Sequence, residues 1–254
     1  MLGSYLHKYF TDSVTILRNK VDAMKVQKKD FYSQLNPLDM EGGDVVINAM
    51  GIINKRTNPP IEFFIVNSLF PRLLADYCEK RGVKLIHIST DCVFNGSKGS
   101  YHESDLADDT SVYGLSKSAG EPHNCTVIRA SIIGENRNNS QDLLEWVRTH
   151  KNTTVPGWTN HIWNGVTCLQ LAKICEWVIE KRFFWAGVRH VFSPDAVSKA
   201  DLAEMISDIY ELNNKIDKVR GPYDCDRTLS TLYPMPFTVP PLRTQIIEQK
   251  NFSL

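Results

Sequence analysis

A phenol and an ammonium stand four positions apart in the segment YGLSKSAGE, at Tyr113 and Lys117. On a helix, positions i and i+4 lie one above the other on one face, so the two heads point together. A phenol ordinarily gives up its proton near pH ~10, and an adjacent ammonium is expected to pull that value down by favouring the phenolate. Thr90 lies upstream in HISTDCVF, where a strand would end, and its hydroxyl would share the reacting oxygen. Such a trio suits proton transfer to or from a carbinol oxygen while a cofactor handles the hydride. A tyrosine and lysine at this spacing also arise by chance in many helices, so the elements around them carry the weight.

Those elements alternate. Residues 2–10 read as a short helix and 13–17 as a β-branched strand. Residues 45–49 form an apolar run of the kind that a parallel sheet buries on both faces. A helix is expected over 63–80, with Leu69, Leu73 and Tyr77 on its buried stripe, then a strand over 85–89. The helix that starts at Tyr113 is cut short by Pro122, and a strand follows over 126–129. Strands alternating with helices predict an α/β fold, a Rossmann-like doubly wound parallel sheet with right-handed crossovers. The expected division is 1–132 for the dinucleotide-binding part, N-terminally incomplete, and 133–254 for a mixed region with a smaller substrate-binding lobe. There, Leu171, Ile174, Cys175 and Val178 predict a buried helix stripe, residues 188–192 a strand, and Ser198 with Asp201 a capped helix start. The proline-rich tail, with Pro234, Pro236, Pro240 and Pro241, reads as extended chain or turns.

Taken in order, VVINAMG, VNSLFPRLLADYC, ISTDCVFNG, VYGLSKSAGE, VIRASIIGE, GWTNHIWNG and CDRTL resemble the extended short-chain dehydrogenase/reductases, and among them the dTDP-4-dehydrorhamnose reductase-like group. The resemblance runs from about Gly3 to Leu229. It implies an NAD(P)-dependent sugar-nucleotide oxidoreductase in which Tyr113 donates a proton, Lys117 tunes it and holds the ribose, and Thr90 binds the carbonyl oxygen. Cofactor contacts are implied for Asn48, Ala49, Met50 and Gly51, for Ser89 and Lys117 about the nicotinamide ribose, and for Gly3. Arg18 follows the second strand, where a cation tolerates the extra phosphate of NADP; it serves equally as a surface residue. NADP(H) is thus expected ahead of NAD(H). Asp91, Cys92, Phe94, Trp158, Asn160, Trp163 and Arg227 are implied on the substrate side. The two tryptophans either cover a sugar or base or plug the gap between lobes, and Arg227 either grips a diphosphate or bridges to an acidic neighbour.

Two departures from the family pattern matter. Cys92 replaces a tyrosine that many members carry after the STD triplet, which opens the question of the sugar; with no histidine base near it in sequence, it reads as a pocket wall rather than a nucleophile. The glycine-rich GxxGxxG turn that cradles a pyrophosphate at a helix N-terminus is represented by Gly3 alone. Either the recorded start lies downstream of the true one, or that element is absent and the cofactor binds weakly. The implied reaction is reduction of the C4 carbonyl of a nucleotide-linked 4-keto-6-deoxyhexose; a non-catalytic binding or regulatory subunit and an epimerase or dehydratase on the same scaffold are the alternatives.

Composition agrees with one enzyme-sized unit. The 254 residues carry 29 basic and 29 acidic side chains, so nothing marks a nucleic-acid or anionic-membrane surface. No apolar run reaches the roughly 18 residues of a spanning helix, and the first ten residues lack a signal-peptide core, so the cytoplasm is the expected location. The six cysteines form no CxxC pair or metal-ligand spacing, which suits a reducing compartment. A nucleotide sugar and a second copy of the chain are the expected partners.

Overall fold

A computed structural model describes residues 1–16, 20–25, 31–53, 59–136 and 142–252. In chain order, α1 (Leu2–Tyr9) and α2 (Phe31–Leu35) precede β1 (Val45–Asn48). Then come α3 (Pro60–Phe64), a π-helical turn (Ile65–Leu69), α4 (Phe70–Lys80), β2 (Lys84–Ser89), α5 (Val112–Ala119) and β3 (Thr126–Arg129). The remainder is β4 (Ile132–Ile133), α6 (Leu143–Thr149), β5 (Thr154–Trp158), β6 (His161–Trp163), β7 (Val166–Thr167) and α7 (Cys168–Glu180), followed by β8 (Gly187–His190), β9 (Val197–Ser198), α8 (Lys199–Ile209), β10 (Lys215–Val219), β11 (Cys225–Asp226) and α9 (Leu242–Phe252).

The main sheet has the order β1-β2-β3-β8, and every neighbouring pair is parallel. Alternate residues of its strands feed two cores. Leu85 and Val127 join Val66, Phe70 and Leu74 on one face. On the other, Ile86, Ile88 and Ile128 meet Leu171, Ile174, Cys175 and Val178 of α7 together with Leu2 and Tyr5 of α1. Burial on both faces is why β2 and β3 are near-continuous apolar runs. The fold is therefore the expected Rossmann-like α/β class. Its fourth strand, β8, returns from well beyond residue 132, so the C-terminal region completes the sheet.

Two expectations need correction. Residues 13–16 form no strand, and Val14 is 80% exposed; Leu17 lies outside the described residues. In the helix after β1, Leu69 is 39% exposed, while Phe70 and Leu74 are buried with Tyr77. Leu69 is the last residue of the π-helical turn, and the buried stripe of the helix that follows runs through Phe70, Leu74 and Tyr77. The proline-rich segment holding Pro234, Pro236, Pro240 and Pro241 forms no helix or strand, as expected, and α9 follows it. Its buried face is Leu242, Gln245, Ile246 and Gln249, and the two glutamines broke the apolar pattern. They are buried because they cap α7: Gln245 Oε1 accepts the Thr167 N–H at 3.1 Å and Gln249 Oε1 that of Leu169 at 3.4 Å.

The smaller strands build the other half. β5 pairs with β10, and β6 lies between β11 and β9. α6, α8 and α9 close over them through Leu144, Val147, Leu202, Ile206, Leu242 and Ile246. The α8 start is capped as expected, Ser198 Oγ accepting the Asp201 N–H at 3.0 Å. Among the described residues, no helix is long and apolar enough to cross a membrane.

Candidate active site

Thr90 is the first residue past β2, and its hydroxyl accepts the Cys92 N–H at 3.1 Å, opening a short helical turn over Asp91–Val93. Ser111 caps α5 by accepting the Gly114 N–H at 3.0 Å. Gly114 lets the helix press against that turn, since a Cβ there would lie 2.7 Å from the Cys92 carbonyl oxygen. This contact brings the Tyr113 phenol beside the Thr90 hydroxyl. One helical turn on, Lys117 is buried and its Nζ donates to the Ile88 carbonyl at 2.9 Å. The three predicted residues are thus gathered at the carboxyl ends of the parallel strands, where open α/β sheets place ligands.

The electrostatics differ from expectation in one respect. Burial, with Cys92 adding to it, pushes the Tyr113 phenol above its ordinary range, against the lowering by the Thr90 hydrogen bond. The Lys117 ammonium is spent on a backbone carbonyl and does not reverse this, so Tyr113 is a neutral proton donor. Desolvation pulls Lys117 down to about 8, with Glu121 and Cys92 resisting. His87, fully buried on β2, is pushed well below its usual value by desolvation and by Lys117. Its Nδ1 lies 3.1 Å from Asn48 Nδ2, so Nδ1 accepts and the ring is neutral.

Two clefts flank this set. One, of about 180 Å³, is lined by Asp22, Ala23, Met24, Met50, Gly51, Ile52, Glu62 and Val66. Its floor reaches the catalytic set at Gly51, where a Cβ would sit 4.0 Å from Lys117 Nζ. The loop after β1 is held there by Asn67, whose Oδ1 accepts the Ile52 N–H at 2.9 Å and whose Nδ2 donates to the Ile52 carbonyl and to Ser116 Oγ. Asn67 belongs to the π-helical turn, which aims it across to α5. Of the expected cofactor contacts, Asn48 accepts the Met50 N–H through Oδ1 and shapes the loop that Ala49 enters. Gly3 is exposed in the first turn of α1. Ser89 is buried and its hydroxyl donates to Glu121 Oε1 at 2.6 Å. Arg18 lies outside the described residues.

The second cleft, of about 240 Å³, is lined by Asp91, Cys92, Ser131, Trp163, Arg227 and also by His161, Lys199 and Tyr223. Asp91 is buried, and desolvation raises its carboxyl despite Arg227. The Cys92 thiol is pushed up to about 12, chiefly by burial; it is a wall of the cleft. Arg227 bridges: Nε donates to the Phe94 carbonyl at 2.8 Å and Nη2 to Asp109 at 3.2 Å, with Nη1 3.7 Å from Cys92 Sγ. Phe94, expected against substrate, is instead fully buried, stacked on Tyr101 at 4.2 Å. Asn160 is also placed elsewhere, its amide bracing Gly221, Tyr223 and Asp224. Trp158 packs on His161 at 4.5 Å with Lys199 Nζ 5.4 Å over its ring, so it backs the cleft rather than lining it. His161 stood in the quoted GWTNHIWNG segment and Lys199 in the α8 cap; their sequence gave no chemical spacing by which to single them out. Among the described residues no cluster of His, Cys, Asp or Glu could hold a metal ion, and all six cysteines are free thiols.

Fold and site together define a Rossmann-like α/β protein with a threonine, tyrosine and lysine gathered between two clefts. The chain matches the RmlD substrate binding domain over residues 18–230, and it belongs to that family. A probable low-salt glycan biosynthesis reductase, Agl14, of Haloferax volcanii is 29% identical over 187 residues, which are 68% of this chain and 61% of that protein. The dTDP-4-dehydrorhamnose reductase of Aggregatibacter actinomycetemcomitans is 27% identical over 224 residues, 82% of this chain and 75% of its own length. The Bacillus anthracis dTDP-4-dehydrorhamnose reductase solved in complex with NADP superposes with a TM-score of 0.80 over 98% of this chain and 95% of that one, at 17% identity. At that identity the likeness is one of fold.

Proposed function

We propose that this chain is a sugar-nucleotide reductase that uses NADP(H), or less well NAD(H), to reduce the C4 keto group of a nucleotide-linked 4-keto-6-deoxyhexose. The observation that carries the reading is the position of Thr90, Tyr113 and Lys117 between a cleft reaching Gly51 and a cleft walled by Asp91, Cys92 and Arg227. The names of its relatives support the substrate class, and the NADP bound to the Bacillus anthracis protein supports the cofactor.

The first cleft fits the adenosine end of a dinucleotide. It offers apolar side chains from Ala23, Met50, Ile52 and Val66 for a base, and the Asp22 carboxylate for an amino group. Lys117, beside Gly51, would hold the ribose next to the nicotinamide. A nicotinamide held there would supply the hydride. Thr90 and Tyr113 hydrogen-bond the carbonyl oxygen, and the neutral phenol gives it a proton as negative charge develops there. Lys117, protonated below about pH 8, steadies the phenolate that remains. Arg227 and Lys199 are suited to the diphosphate, and Trp163 to the sugar. Reduction also agrees with Cys92, which offers no carboxylate for a dehydratase and holds its proton too tightly to act as a base.

The test is turnover of a dTDP-4-keto-6-deoxyhexose with NADPH and, separately, NADH. NADPH is expected to be consumed with formation of the 4-hydroxy sugar. A folded chain that consumes neither cofactor defeats the reading.

A further inference from the structure

A helix on a globular surface turns polar side chains outward, and an exposed stripe that stays apolar marks a face that another surface covers. The outer side of α5 is such a stripe. Its sequence, VYGLSKSA, holds one charge, Lys117, and that ammonium is buried in the catalytic set. The residues it exposes are Val112 (37%), Leu115 (46%) and Ala119, at i, i+3 and i+7 on one side of the helix. The neighbouring helix does the same. From Pro60 through the π-helical turn, Ile61, Phe64 and Leu69 are 58%, 37% and 39% exposed, and the one charge in that stretch, Glu62, is half-buried. α5 lies directly against α3 and the turn. Ser68 Oγ donates to the Ser116 carbonyl at 2.6 Å, Asn67 Nδ2 to Ser116 Oγ at 3.1 Å and Arg72 Nε to the Ala119 carbonyl at 2.5 Å. Gly120 completes the contact, since any Cβ there would overlap the Asn67 carbonyl. The two outward stripes therefore form one rigid apolar face, bordered by the exposed Arg72 and Asp76 of α4.

We propose that this face pairs with the same face of a second copy of the chain across a two-fold axis, four helices closing over an apolar core. Size and charge both favour a second copy as the occupant. The five large side chains together expose about two whole residues' worth of surface, on the order of 400 Å². That is close to the apolar half of the roughly 800 Å² that each partner gives to a standard interface. A charged patch would meet its own sign across a two-fold, whereas this uncharged centre complements itself. The paired face is the outer side of the helix that carries Tyr113 and Lys117, so the second copy holds that helix against the sheet. The pairing itself does not depend on the proposed reaction.

Sedimentation equilibrium of the full chain at micromolar concentration is the test, and a mass of two chains is expected. Leu115→Glu sets like charges within the paired faces, and the two-fold counts each substitution twice. The dissociation constant should then rise ~100-fold or more. Phe64→Glu should do the same from the other helix. Both positions are exposed on helices of the single chain, where glutamate is a good helix former, and circular dichroism checks that each variant is folded. Should either fail to fold, Leu115→Gln removes the apolar surface without a charge and should still weaken pairing about 10-fold. Ile247→Glu, at a 42% exposed residue of α9 on the far side of the sheet, should leave pairing unchanged. A wild-type mass of one chain overturns the proposal. So does a two-chain mass that survives both glutamate variants in folded protein.

Discussion

Two walls meet at Asp91 and Cys92, and they are built differently. On the sheet side, Thr90, Tyr113 and Lys117 come from one strand end and one helix turn, and backbone groups and buried neighbours hold them rigidly. On the cleft side, His161 and Trp163 of β6, Lys199 of α8, and Tyr223 and Arg227 about β11 are spread over more than sixty residues of chain. His161 is buried, whereas Tyr223 is 61% exposed. The contrast follows from the tasks. Proton transfer needs placement to a fraction of an ångström and a dry environment. A sugar nucleotide needs a surface with dispersed charge and aromatic faces. The chemistry side is accordingly local in sequence, and the recognition side is not.

The sharpest way to break that contrast is Tyr113→Phe. If the sheet side carries the chemistry, deleting one oxygen should cost about 10³-fold in kcat, in the range of a lost general acid, while KM stays near wild type. The substitution keeps the ring and removes one oxygen, so thermal unfolding should move little. Equal losses in kcat/KM through KM alone would place Tyr113 among the binding residues and erase the distinction.

Legibility in the sequence divides along the same line. Tyr113 and Lys117 are found by a fixed spacing on one helix, and β2 and β3 by apolar runs that both faces bury. Periodicity failed where side-chain chemistry opposed position. Leu69, at the end of the π-helical turn, is exposed where the stripe placed it inside, and Gln245 and Gln249 hid α9 because they are buried for their hydrogen bonds. Trp163 and Arg227 were legible through the motifs around them. Asn160 stands in the same segment as Trp163, and Phe94 in ISTDCVFNG, but both serve the scaffold, Phe94 as a stacked core ring and Asn160 as a loop brace. Tyr223 had no signal at all, because its place depends on the Asn160 brace that folds residues 221–224 against β6. Even the sign of the electrostatic effect on Tyr113 depended on burial, which spacing does not reveal.

The second test addresses rigidity. Gly120→Ala would drive a methyl into the Asn67 carbonyl where α5 meets the π-helical turn. Overpacking of this kind costs roughly 1–3 kcal/mol, read as a lower urea midpoint at unchanged slope. The Asn67 bonds to Ile52 and Ser116 would shift with it, so cofactor binding should weaken too. A variant of wild-type stability would mean that this junction yields, and that the sheet side is no stiffer than the cleft side.

The smallest effect is expected on the cleft side. Arg227→Ala removes a half-exposed guanidinium that ties Phe94, Cys92 and Asp109 to the wall carrying β11. If Arg227 also faces the diphosphate, KM for the sugar nucleotide should rise about 10-fold with kcat nearly unchanged, the signature of binding shared by ground and transition states. Arg227→Lys separates charge from geometry. An ammonium keeps the long-range attraction but loses the planar fork, so it should recover part of KM and none of the bridge to Asp109. Full recovery by lysine would mean that charge alone is recognised. A fall in kcat as large as that of Tyr113→Phe would instead mean that the bridge positions Asp91 and Cys92 for chemistry, and that the two walls act as one.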